Sequence, residues 1–304
     1  MAFLREMENS LILNTRMYDP EQKDWQSDIN LRMRRILIDW LVEVNTTFKY
    51  HDETLHLTAS IIDQFMTRRP NIPRTDFQLV GVAAHILAAK MEEIHQESPD
   101  TYSHMCSGCY TAERVQNYEL IMLQALDHHV VTSATALKFL PHFLEASEAA
   151  GGDAGRLMGR IRSLAHYVAD RVLYEGVSLK YHPSCVASCC VYLARKDVLR
   201  GCSTTADAAT AATATAVVWT AQLRAVTGRC EAELFPCLRD MAPLLRGESP
   251  PPKQVTKIRK DKIPLPLTAV NEKHGKGMRG REHVRRDRRE AATTAAWAIR
   301  RRTG

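Results

Sequence analysis

Three charged side chains stand where helical periodicity calls for apolar ones. Arg34 falls inside the apolar arc of the stretch from Leu31 to Phe48, between Leu41 and Ile38 on a helical wheel. An unpaired guanidinium there would carry a heavy desolvation cost. Asp63, between Ile62 and Phe65, is equally misplaced alone, so Arg34 and Asp63 are expected to form a structural ion pair between two helices. Lys90 ends the run LVGVAAHILAAKMEE. A lysine leaving an apolar helix either snorkels to water or meets a carboxylate. Cys106-x-x-Cys109 with His104 nearby has the look of half a zinc site, but no second pair stands at ligand spacing. Ordinary thiols and no metal are expected. The histidines form no acid/base constellation with a nucleophile, and no Gly-rich loop could cradle a phosphate. Neither catalysis by this chain nor a cofactor is expected.

These residues need helices to hold them. Leu79 to Glu93 has no polar face until its last turn, which marks a central helix of a bundle. Gly81, Ala83, Ala84, Ala88 and Ala89 are small and allow neighbours to approach closely. Leu31 to Phe48 carries apolar residues over about two thirds of its circumference, more than one core contact needs. Further helices are expected at Glu53 to Arg68, Thr101 to Cys106 and Ala112 to Leu126. Thr75 with Gln78 reads as a capping box for the central helix, and Thr111 as a cap for Ala112 to Leu126. A second set follows: Ala134 to Ala149, Ala154 to Tyr174, Tyr181 to Ala194, Val217 to Val226 and Glu231 to Leu245. Tyr181 to Ala194, apolar and rich in small residues, echoes the central helix, which suggests an internal duplication. No stretch alternates like a strand, so the chain reads as all-α.

The 304 residues are 45% hydrophobic, enough for two domains of ordinary size. The formal charge of +6 is concentrated after Lys253, especially in Arg279 to Arg289 and Arg300 to Arg302. No signal peptide or membrane span is visible, and a soluble intracellular protein is expected. Cys185, Cys189 and Cys190 sit among apolar helix residues, where reduced thiols act as small hydrophobes. The expected organisation is an N-terminal helix remnant and connector (1–29), a first helical repeat (30–130), a second (131–248) with an Ala/Thr-rich insertion at about 203–216, and a basic, mostly disordered tail (249–304).

Arg34 in MRRILIDWLVEV, Asp63 in IIDQF, Leu79 and Lys90 in FQLVGVAAHILAAKMEEI, and Glu119 in YELIML together resemble the cyclin box of mitotic, A/B-type cyclins. SLKYHPSCVASCCVYLA and VTGRCEAELFPCLRDM resemble the second box, and FLREMEN resembles the end of the family's N-terminal helix. The resemblance runs from Phe3 to about Leu245 and implies two five-helix cyclin-box repeats in tandem. It also implies a regulatory subunit, not an enzyme, that binds and activates a cyclin-dependent serine/threonine kinase at G2/M. In such proteins the first repeat docks on the kinase αC helix and completes its Lys to Glu pair.

Carried over by position, Lys90 and Glu119 would be the polar kinase contacts, with Phe3, Met91, Leu123 and Val130 as apolar ones. The residues agree, since Lys90 leaves its helix where it can meet Glu119. The spare apolar surface of the Leu31 helix would be a substrate-docking patch of Met33, Ile36, Leu37 and Trp40 beside Gln78. That patch would take Arg-x-Leu motifs of substrates and inhibitors, with Glu43 pairing the motif arginine. Nucleus and cytoplasm are the expected locations. Arg35 stands where the family usually has alanine, Phe77 where a smaller aliphatic is common, and His128 where an apolar aromatic is usual. No Arg-x-x-Leu destruction box precedes the first repeat, so either the chain is truncated upstream or its turnover is signalled differently. The competing readings are a cyclin-fold transcription-factor module that binds nucleic acid and a cyclin-like scaffold with a decayed kinase interface. Lys and Arg concentrate beyond Pro250 rather than along the repeats, which argues against specific nucleic-acid binding.

Overall fold

A computed structural model describes residues 1–9, 28–127, 134–148, 154–202 and 218–245. Among them there is no strand. The helices are α1 (Ala2–Asn9), α2 (Leu31–Phe48), α3 (Asp52–Arg68), α4 (Phe77–Glu92), α5 (Pro99–Met105), α6 (Ala112–Ala125), α7 (Ala136–Glu148), α8 (Ala154–Glu175), α9 (Pro183–Cys202), α10 (Ala221–Thr227) and α11 (Glu231–Leu245). Two sets of five, α2 to α6 and α7 to α11, follow one another, and none of the described helices is long and apolar enough to cross a membrane.

Local chemistry sets the helix boundaries. Asn30 Oδ1 accepts from Met33 N at 3.0 Å and starts α2; Ser98 and Thr111 do the same for α5 and α6. The expected Thr75–Gln78 capping box does not form. Arg74–Asp76 makes a 3-10 turn, so Thr75 lies inside that turn, and α4 begins at Phe77 with no side-chain cap. The Thr75 carbonyl instead accepts from Tyr110 Oη at 2.8 Å.

In the first repeat α4 packs against α2, α3 and α6 and is buried without interruption from Leu79 to Ala89. Gly81 permits the close approach of α2, since a Cβ there would stand 2.7 Å from Leu37 Cδ1. His85 lies inside this core between Tyr102 Oη (2.7 Å from Nδ1) and Asn45 Oδ1 (3.1 Å from Nε2), and burial lowers its pKa to about 3. In the second repeat α9 takes the central place, packed against α7, α8 and α11. The resemblance of Tyr181–Ala194 to the α4 sequence therefore reflects an equivalent position. α1 joins the second repeat: Met7 enters its core, Glu8 accepts from Ser184 N and from Ser184 Oγ (2.8 Å), and Arg5 donates to the Thr227 carbonyl.

The repeats meet across a polar seam beside an apolar one. Leu173 and Leu179 extend the core of the first repeat. Arg35 reaches Glu175 at 2.7 Å, His56 reaches Asp170 at 3.1 Å, and Lys138 reaches Glu92 at 2.7 Å.

Candidate partner-binding surface

Arg34 and Asp63 form the expected pair in bidentate geometry, with Nε and Nη2 each 2.8 Å from a carboxylate oxygen and Arg34 wholly buried. Its third nitrogen does something the sequence did not disclose: Nη1 donates to the Leu173 carbonyl at 2.8 Å, at the end of α8 in the other repeat. Gly176 ends that helix at φ +76°, and a Cβ there would come 3.0 Å from Leu31 and 3.6 Å from Arg34 Nη1. One buried guanidinium thus ties two helices of the first repeat to the C-terminus of α8, where exposed carbonyls favour a cation.

Lys90 and Glu119 also meet, Nζ donating to Oε1. Helix geometry explains their unequal burial. On α6 the buried positions are Val115, Glu119 and Met122, a single stripe into which the carboxylate falls. Lys90 follows Ala89 at the end of α4, where the helix emerges. Its side chain is accordingly 51% exposed against 10% for Glu119. The ammonium has three donors and spends one on Glu119, leaving the others facing outward.

Large exposed apolar side chains neighbour the pair in sequence. Met91 follows Lys90 and is 42% exposed; Leu120 and Ile121 follow Glu119 at 52% and 36%; Leu123, one turn on, is half-buried. Ile94, just past α4, is 90% exposed. Met91 and Leu123 are among the apolar contacts the resemblance implied; Ile94, Leu120 and Ile121 are not. The available signal was the run LIML after Glu119, which holds more apolar residues than one core-facing stripe can use. Phe3 is 70% exposed on α1, on which Met7 and Glu8 are buried. Val130 and His128 lie outside the described residues, as do the Ala/Thr run and the basic tail.

On α2, Ile36 is exposed while Met33, Trp40 and Glu43 are half-buried, and Gln78 at the start of α4 is half-buried too. Leu37 is buried against Gly81, so it belongs to the core beneath this patch. Of the two unusual residues nearby, Arg35 is engaged with Glu175, and Phe77 is buried in the core. Cys106 is buried, which pushes its thiol up to about 12, whereas Cys109 is exposed.

Comparison with known proteins agrees with this architecture. The family model for the cyclin N-terminal domain matches residues 1–131, and that for the cyclin C-terminal domain matches residues 134–262. The chain is 36% identical over 176 residues to G2/mitotic-specific cyclin-2 of Medicago sativa, covering 58% of this chain and 51% of that one. It is 32% identical over 216 residues to G2/mitotic-specific cyclin S13-7 of Glycine max, covering 71% and 74%. Against Cyclin-B1-1 of Arabidopsis thaliana it is 29% identical and spans 45% of that protein's length. Among solved structures, a viral cyclin from herpesvirus saimiri superposes with a TM-score of 0.60 at 16% identity, over 79% of this chain and 94% of that one. A chain of the CAK complex from Chaetomium thermophilum bound to ATP-gamma-S gives 0.52 at 12% identity, over 90% and 83%. These two likenesses concern the fold alone. With two tandem five-helix repeats, both family domains in order and mitotic cyclins among its relatives, the chain belongs to the cyclin family.

Proposed function

We propose that this chain is the regulatory subunit of a cyclin-dependent serine/threonine kinase, and that the kinase docks on the face around Lys90 and Glu119. The observation that carries the reading is the asymmetric pair. A mostly buried carboxylate fixes a half-exposed ammonium, with spare donors, and exposed Met91, Ile94, Leu120 and Ile121 lie close to the two residues in sequence. A partner helix and its backbone carbonyls can bury those apolar groups and accept from Lys90 at once. The role of the chain is to reposition the partner's catalytic machinery, in keeping with the absence of a nucleophile–base pair in the sequence.

Co-precipitation with a cyclin-dependent kinase tests this with the swapped variant Lys90→Glu/Glu119→Lys. The swap preserves an internal ion pair and inverts what it offers outward. Loss of kinase binding and of substrate phosphorylation is the expected result; binding and activation at the unaltered level would mean the interface lies elsewhere.

Substrate recruitment is a further part of the proposal. The patch of Met33, Ile36 and Trp40 over Leu37, with Gln78 and Glu43 beside it, suits a short motif with an arginine and a leucine. Burying one leucine contributes about 1.5 to 3 kcal/mol, so recruitment there is weak by itself. It gains from simultaneous engagement of the active site. Ile36→Asp should lower phosphorylation of motif-bearing substrates while leaving that of short peptides unchanged. A nuclear and cytoplasmic location fits a cell-cycle kinase regulator.

A further inference from the structure

Three cysteines from two helices converge inside the second repeat. Cys185 and Cys189 lie four residues apart on one face of α9, and Cys237 faces them from α11. Their Sγ atoms all lie within 4.8 Å of one another, and all three residues are buried. In the sequence the first two read as apolar filler, and only the fold brings Cys237 to them.

The surroundings are those of a ligand set. Met241 Sδ lies 3.6 Å from Cys237 Sγ, one turn along α11. His182 precedes Cys185 by one turn, and its Nδ1 is buried without a hydrogen-bond partner. Arg229 donates to Ser184 Oγ at 3.1 Å, and its buried Nε has no partner either.

We propose that Cys185, Cys189 and Cys237 form a binding site for a thiophilic d10 cation, Zn2+ or Cu+, with Met241 as the fourth donor. With metal–sulfur bonds of about 2.3 Å, tetrahedral geometry needs sulfurs about 3.8 Å apart, a spacing that modest side-chain adjustment gives here. Binding releases the three thiol protons to solvent and leaves a trithiolate centre whose net negative charge Arg229 offsets. A thioether fourth donor favours Cu+ over Zn2+. The site would staple α9 to α11, far in sequence from the Lys90 face.

The test uses the full chain, reduced and handled without oxygen. Titration with Co2+ as a probe should give an intense thiolate-to-metal band saturating at one equivalent, displaced by Zn2+ or by Cu+ according to which the site prefers. Cys189→Ser and Cys237→Ser should each lose at least 90% of that band, while Cys109→Ser keeps it. Because a buried variant can fail to fold, the unaltered protein supplies a second reading: its melting temperature should rise with added Zn2+ or Cu+ and fall with a chelator. Absence of the band with all thiols reduced, a band equally strong in Cys237→Ser, or a melting temperature indifferent to metal and chelator would each overturn the proposal.

Discussion

Arg34 illustrates how one buried charge can organise two domains. It has two oxygens of Asp63 and the Leu173 carbonyl as acceptors, so truncating it takes the cation away from a buried carboxylate and a helix end together. Arg34→Ala should cost about 3 to 5 kcal/mol in denaturant unfolding, whereas the paired change Arg34→Met/Asp63→Leu should recover most of that loss. His85 offers a pH-dependent counterpart. Burial lowers its folded pKa to about 3, so the native state holds it neutral while the unfolded chain protonates near pH 6.5. The resulting stability is fully present above pH 6.5 and is lost as pH falls below it, by about 2 kcal/mol at pH 5. Denaturant midpoints measured from pH 7 to pH 5 check this, since His85→Gln should flatten the slope.

At the scale of elements, α4 is held to its neighbours by what Gly81 lacks. Gly81→Val would push Leu37 from its seat and should cost about 1 to 3 kcal/mol by overpacking. Ile36 and Trp40, which share α2 with Leu37, would shift with it, so weaker motif binding should accompany the lower melting temperature. α1 is fastened by Glu8 at the start of α9, where a carboxylate meets both a hydroxyl and a backbone N–H. Glu8→Ala should lower stability by about 1 to 2 kcal/mol and raise protease sensitivity around residues 1–9.

Helices such as these were legible because their apolar periodicity is strong and long, and the Arg34–Asp63 pair because each charge violates that periodicity. The partners of Arg35, His56 and Glu8 were not legible. They lie across the repeat interface or on a helix docked from far away in sequence, and no local pattern specifies a register between such elements. The Thr75–Gln78 box failed for a related reason, since a capping pattern says nothing about an intervening 3-10 turn.

For the whole molecule, the two repeats place their chemistry differently. The first carries an outward-facing ion pair in an apolar surround, and the second turns its sulfur chemistry inward between α9 and α11. The ties of Arg34, Arg35, His56 and Lys138 across the seam hold one repeat to the other, so a partner bound to the first would feel the stability of the second. The docking face itself is tested most directly by side-chain footprinting of the complete chain with and without one equivalent of a cyclin-dependent kinase. Lys90 acylation and Met91 oxidation should each slow at least tenfold in the complex, while exposed Lys180 of the second repeat keeps its rate. Unchanged reactivity at Lys90 and Met91 in a complex shown to have formed would contradict the assignment of this face to the kinase.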